Sequence, residues 1–239
     1  MAIAINASDI HLRSSQTMGL LARSSFTITC WVNTVWNPGS RRSLVGIYGP
    51  TTDVALGTPV TGVQIGTTNG GGELSFWTWG GAVLCGTAAN FMNAYNNQWV
   101  MTAYTYDGTT NRGYLNGVEV CNGTVLPIVG YLNQVYVNGY PAGTTSEVSA
   151  GIVDQYALYA RVLSADEVLT IYNAGGARHG ISQGMKCRYE FDELAQGVTC
   201  SSVPDLSGNG HTLTTFGPGT PITYTYSNSL ANSNIRPVQ

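Results

Sequence analysis

The sequence predicts an all-β protein, a two-sheet antiparallel sandwich of the jelly-roll kind with one short helix near 164–174. Three observations carry that prediction. Runs rich in β-branched and aromatic residues alternate with period 2, turns rich in glycine separate them, and a single stretch carries helical capping and periodicity. The chain has 239 residues, with 30 Gly, 9 Pro and 14 Tyr. Domains of roughly 200–250 residues commonly stand as one when they are all β.

The strands follow in order. Phe26-Thr-Ile-Thr-Cys-Trp-Val32 alternates cleanly and places Cys30 on the side of Phe26 and Ile28. Leu74-Ser-Phe-Trp-Thr-Trp79 is a second run, stopped by Gly80-Gly81, and Gln98 to Tyr106 is a third. Arg112 to Leu115 and Val118 to Cys121 flank Asn116-Gly117. That dipeptide predicts a tight hairpin, because both of its turn residues must accept a positive φ. Leu132 to Val137, Gly151 to Ala160, Cys187 to Phe191 and Ile222 to Tyr226 complete the set.

The helix is read from Ser164-Ala-Asp-Glu167, in which Ser164 caps the first turn and Glu167 reaches back to it. Val168, Leu169, Ile171 and Tyr172 give it an apolar face, and Gly175-Gly176 ends it. Residues 174–184 look like a linker. The segment beyond them is too short to bury a core of its own. The expectation is therefore one domain over 1–239, with 185–239 supplying returning strands and a C-terminal arm.

Charge excludes several classes. Only 10% of residues are charged and the formal net charge is −3, which disfavours a basic nucleic-acid binder and a polybasic membrane-surface protein. No run of about 18 apolar residues occurs. The opening Met-Ala-Ile-Ala-Ile-Asn lacks the basic and apolar regions of a secretion signal, so synthesis in a cytoplasm is expected. Lys186 is the sole lysine. Surface polarity therefore rests on Asn, Thr, Ser and Gly, a surface suited to protein neighbours or polar glycans.

The five cysteines, Cys30, Cys85, Cys121, Cys187 and Cys200, show no C-x-x-C spacing, which argues against zinc. They read as small buried hydrophobes, with a Cys187–Cys200 hairpin bridge as the alternative.

Together these stretches resemble the laminin-G-like, concanavalin A-like lectin/glucanase superfamily. The resemblance rests on Phe26 to Val32, on Trp99 to Gly108 with Gly113 to Val120, on Ala157 to Val168, and on Tyr189-Glu-Phe-Asp-Glu193 with Pro204-Asp-Leu-Ser-Gly-Asn-Gly-His211. The last pair usually opens such a domain and here follows the helix. That order is similar to single-domain members from bacteriophages. The resemblance thus implies a non-catalytic virion surface protein, made in the host cytoplasm without a signal peptide. Capsid decoration is its first expected role, with the major capsid protein, other virion proteins and further copies of itself as partners. The N-terminal strand and Leu230–Gln239 would be the contacting arms. A lectin-like module or tail-fibre adhesin is the alternative, and a glucanase the third.

Three groups of residues carry the chemistry to be tested. Glu190, Asp192 and Glu193 approximate the paired carboxylates of a retaining glycosidase, but Glu193 falls on the opposite face and the distal acid is missing. No catalytic residue is assigned. For glycans the candidates are Trp36, Trp77, Trp79, Tyr131 and Tyr140. Trp77 and Trp79 share a face opposite Phe76, so they are either core or an exposed stacking platform. For calcium the candidates are Asp205, Ser207 and Asn209, at positions 1, 3 and 5 of an oxygen-rich loop with Gly210 at 6. Phe216 stands where a bidentate Glu is expected. A plain Asx turn explains the same residues.

Overall fold

The computed structural model describes residues 2–5, 11–14, 18–21, 24–36, 38–49, 62–68, 71–78, 83–124, 131–132, 134–137, 151–175, 180–191, 197–216 and 223–225. In chain order the strands are β1 (Ala2–Ile5), β2 (His11–Ser14), β3 (Leu20–Leu21), β4 (Phe26–Thr34), β5 (Arg42–Tyr48) and β6 (Gly62–Thr67). Then come β7 (Ser75–Thr78), β8 (Val83–Gly86), a 3-10 helix over Phe91–Tyr95, β9 (Trp99–Tyr106), β10 (Thr110–Leu115) and β11 (Val118–Thr124). The order closes with β12 (Tyr131–Leu132), β13 (Gln134–Val137), β14 (Gly151–Tyr159), α1 (Ala165–Ala174), β15 (Met185–Tyr189), β16 (Ser202–Val203), β17 (Leu213–Phe216) and β18 (Thr223–Thr225).

Two antiparallel sheets form the sandwich. The first runs β11-β10-β9-β4-β14-β1-β18, with β15 also paired to β14. The second runs β16-β17-β2-β13-β5-β6-β7-β8, and β12 with β3 makes a small separate ladder. The late segment is therefore woven into both sheets: β15 lies on β14, β17 on β2 and β18 on β1.

The main core lies between the sheets. Phe26, Ile28, Cys30 and Val32 of β4 face Ile47 of β5, Ile65 of β6 and Phe76 of β7 across it, all fully buried. Phe26, Tyr104, Tyr106 and Phe76 join in ring contacts with centroids 5.4–5.8 Å apart. Burial of such side chains contributes about 1.5–3 kcal/mol each relative to exposure.

The other face of the first sheet is covered by α1. Trp31, Trp99, Met101, Tyr114 and Tyr159 pack there against Val168 and Ile171, and Trp31 stacks on Tyr172 at 5.8 Å. The helix starts as its sequence requires. Ser164 Oγ accepts from the Glu167 amide, and the Glu167 carboxylate accepts from the Ser164 amide. Arg161 clamps the same carboxylate with two nitrogens, at 2.8 and 2.5 Å, and that pairing pulls the Glu167 pKa down to about 2. Gly175, at φ +59, provides the left-handed stop.

The Asn116-Gly117 hairpin forms between β10 and β11, with φ of 51° and 82°. Asn116 also fastens it to β9, its amide donating to Met101 O and its side-chain oxygen accepting from Met101 N. β14 carries a bulge between Asp154 and Ala157, where Gln155 takes φ +48. Before the bulge β14 pairs with β1; after it, with β15.

Candidate functional site

The outer face of the second sheet, away from the main core, opens into a cleft of about 250 Å³ at its β6–β7–β8 end. Strand register builds it. Ser75 lies opposite Gly66 of β6 on one side and Gly86 of β8 on the other. A hydroxyl thus stands between two residues that have no side chain to cover it. At Gly86 an added Cβ would lie 3.1 Å from Ser75 Oγ. Thr68, Glu73, Thr87 and the exposed Val83 supply the walls.

Hydrogen bonds fix the polar atoms. The Glu73 carboxylate is buried, with one oxygen accepting from Thr67 Oγ1 at 2.7 Å and Thr68 Oγ1 at 3.3 Å, and the other from the Gly71 amide at 3.0 Å. Thr68 Oγ1 and Ser75 Oγ are 3.3 Å apart, which extends the chain of hydroxyls into the cleft. Thr87 Oγ1 accepts from the Leu74 amide and donates to Ala88 O.

The turn before β7 sits on a fixed base. Gly72 takes φ +77, a conformation that favours glycine, and a Cβ there would fall 2.2 Å from Asn93 Oδ1, so the 3-10 helix docks closely on this turn. Met92 N then donates to Gly72 O, and Asn90 N to Gly71 O. Trp36 lies beneath: its carbonyl accepts from Gly72 N, and its amide donates to Asn96 Oδ1 at 2.6 Å.

The aromatic residues proposed for glycans fall elsewhere. Trp36 and Trp77 are fully buried, which corrects their reading as ligand platforms. Trp36 belongs to the main core. Trp77 does point away from Phe76, as alternation requires, but it is fully buried on that side too. Its ring lies over Gly66, where an added Cβ would come within 3.1 Å of the indole. Tyr131 begins the short β12, and Trp79 and Tyr140 lie outside the described residues. Asp192, Glu193 and Leu230–Gln239 lie outside them too. Glu190 pairs with Arg188 through its carboxylate.

Asp205, Ser207 and Asn209 do come together, but as a closed turn. Asp205 Oδ1 accepts from the amides of Arg188 and Ser207, and Oδ2 from Ser207 Oγ and the His211 amide, all at 2.9–3.0 Å. Asn209 presents its amide nitrogen to Met185 O and Lys186 O. These residues do not fit calcium: both Asp205 oxygens are occupied by N–H and O–H donors, and Asn209 turns a donor inward. Among the described residues no group of three or more His, Cys, Asp or Glu gathers as a metal set, and no helix is long and apolar enough to cross a membrane.

The sequence reading missed the Glu73 cleft. Its residues are spread from Thr67 to Thr87 without a spacing motif, and only the register of β6, β7 and β8 brings them together. The Gly70-Gly71-Gly72-Glu73 string was the available signal, since a carboxylate directly after such a turn is placed to accept its amides.

No curated protein matches the sequence. Among solved structures, a putative carbohydrate binding protein from Bacteroides ovatus superposes with a TM-score of 0.58 at 16% identity, covering 92% of this chain and 60% of that one. The chain thus spans less than two thirds of that relative. A heptameric SAP-like pentraxin from Limulus polyphemus gives a TM-score of 0.50 at 12% identity, over 72% of this chain and 81% of that one. A Trypanosoma rangeli sialidase in complex with sialic acid gives 0.51 at 14% identity, over 65% of this chain and 24% of that one. At these identities the likeness establishes the sandwich alone. The family model described as the concanavalin A-like lectin/glucanases superfamily matches residues 6–169, the stretch that holds β2 through the start of α1. With both sheets and the capped helix in place around that stretch, the chain belongs to the concanavalin A-like lectin/glucanases superfamily.

Proposed function

We propose that this protein is a non-catalytic carbohydrate-binding module whose ligand sits in the Thr68–Glu73–Ser75–Thr87 cleft. The observation that carries the reading is the hydroxyl array held in place by the buried Glu73 carboxylate. Serine and threonine hydroxyls both donate and accept, as sugar hydroxyls do. Their partners are fixed before a ligand arrives, which lowers the ordering cost of binding. Val83, 52% exposed, offers an apolar patch for the C–H face of a pyranose ring. Glu73 is the one carboxylate among the described lining residues, whereas glycoside hydrolysis ordinarily needs two carboxyl groups about 5–9.5 Å apart. The likeness to a putative carbohydrate binding protein supports the same class.

The test is a glycan array followed by calorimetry on the best hit. Saturable binding is expected, unchanged by a chelator. Ser75→Ala and Thr87→Val should each weaken it by about 2–13-fold, the value of one hydrogen bond of about 0.5–1.5 kcal/mol. Absence of saturable binding, or binding indifferent to both variants, would overturn the proposal.

A second reading sets this module on a bacteriophage virion, as a decoration protein contacting the major capsid protein. What supports it is the order of elements: strands that follow the helix return to both sheets, an order that resembles the one expected of single-domain phage members. Purified protein should then bind capsids that lack it, and a lack of such affinity would sink this reading while leaving the first intact.

A further inference from the structure

Cys85 and Cys121 meet where the two sheets come closest. β8 ends the second sheet and β11 ends the first. Cys85 Sγ and Cys121 Sγ lie 2.7 Å apart across that seam. A formed disulfide measures about 2.05 Å, so closure requires a movement of only roughly 0.7 Å. Two glycines permit the approach. Gly113 is the β10 partner of Cys121, and a Cβ on it would fall 2.6 Å from Cys121 Sγ and 2.2 Å from the Phe76 ring. A Cβ at Gly123 would fall 2.4 Å from Leu84 O of β8. Cys85 is 5% exposed, while Cys121 is half-buried and reachable.

We infer that Cys85 and Cys121 form a reversible disulfide that staples the two sheets together under oxidising conditions, with a small-molecule disulfide as oxidant. The Cys121 thiolate attacks the oxidant, one S–S bond forms as another breaks, and one thiolate leaves. Cys85 then loses its proton and attacks Cys121 of the mixed disulfide, expelling the second thiol. The protein pair gives up two electrons and two protons, and the oxidant is reduced to two thiols. Cys121 takes the first step because it is the accessible sulfur. The Cys121 contact and burial push the Cys85 thiol well up, which disfavours Cys85 as the first attacking thiolate. Cys30, Cys187 and Cys200 lie buried in the core. The Cys187–Cys200 hairpin bridge, the alternative read from the sequence, is not formed.

The staple does not depend on what the cleft binds, although Val83 and Gly86 of the cleft wall flank Cys85 on the same strand. The experiment is non-reducing peptide mapping of the full chain before and after oxidised glutathione, with thermal unfolding alongside. A linked Cys85–Cys121 peptide, lighter by two hydrogens, is expected. Tm should rise by roughly 5–15 °C and fall back on reduction. Cys121→Ser should abolish that rise. A Cys187–Cys200 link, a glutathione adduct left unresolved on Cys121, or free thiols at both positions after oxidation would each overturn the inference. The wild-type mapping decides even where a serine variant folds poorly.

Discussion

The Asp205 turn and the Glu73 turn both wrap a carboxylate in hydrogen-bond donors, yet they do opposite work. Asp205 gathers the amides of Arg188, Ser207 and His211. It thereby ties the loop before β17 to β15 and closes upon itself. Glu73 gathers Thr67, Thr68 and Gly71, and one of these hydroxyls passes on to Ser75, a buried lining residue of an open cleft. The lesson is that an oxygen-rich motif is not in itself a site. A motif whose donors and acceptors are all matched by its own chain is saturated, and organises that chain. A carboxylate that orients neighbouring hydroxyls toward free volume prepares a surface for something else.

Three substitutions sharpen that contrast, in falling order of effect. Trp36→Ala removes the buried base under the Glu73 turn. It should cost about 3–5 kcal/mol in urea unfolding and also weaken sugar binding, since the cavity left by the buried indole frees the Trp36 backbone to which Gly72 is hydrogen-bonded. Asp205→Ala strips four donors of their acceptor and should cost about 2–3 kcal/mol without altering the affinity of the cleft. A shared loss of affinity would break the division between the two turns. Glu167 supplies a third, purely structural carboxylate as a control. Its pKa of about 2 lies below the unfolded value, so its contribution is complete above about pH 4.5 and fades as pH falls toward 2. Glu167→Gln should remove that acid-side slope and lower stability by about 0.5–1.5 kcal/mol near neutral pH. Urea midpoints measured between pH 2 and 7 read both effects.

Local signals account for what was legible in advance. The capping box at Ser164 and Glu167, the Asn116-Gly117 turn and the alternation of Phe26 to Val32 each follow from residues close in sequence, and each stands in the structure as read. β5 and β6 went unread. Their glycines, Gly46, Gly62 and Gly66, interrupt the alternation. In the structure those positions let Tyr48 and Trp77 lie flat against the sheet. The same flat packing hides Trp77, which period-2 reasoning could place on a face but not assign to solvent or core. The cleft and the cysteine pair were illegible for a different reason. Ser75 meets Gly86 only once the register of the local β7–β8 hairpin is set, and Cys85 meets Cys121 only after the two sheets have stacked.

The bulge in β14 has a consequence for how the chain assembles in time. β14 is flanked by β1 before the bulge and by β15 after it, so the earliest and one of the latest strands of the first sheet both depend on residues 151–159. During synthesis at about 5–20 residues per second, β1 waits on the order of 10–30 s for its partner. Through that interval the nascent chain carries an unpaired edge of Ala and Ile, open to like edges on neighbouring chains. Folding of such a topology is governed by the slow meeting of distant segments. Pairing with β14 closes one edge of β1, and the other stays open until β18 is made, near the end of the chain.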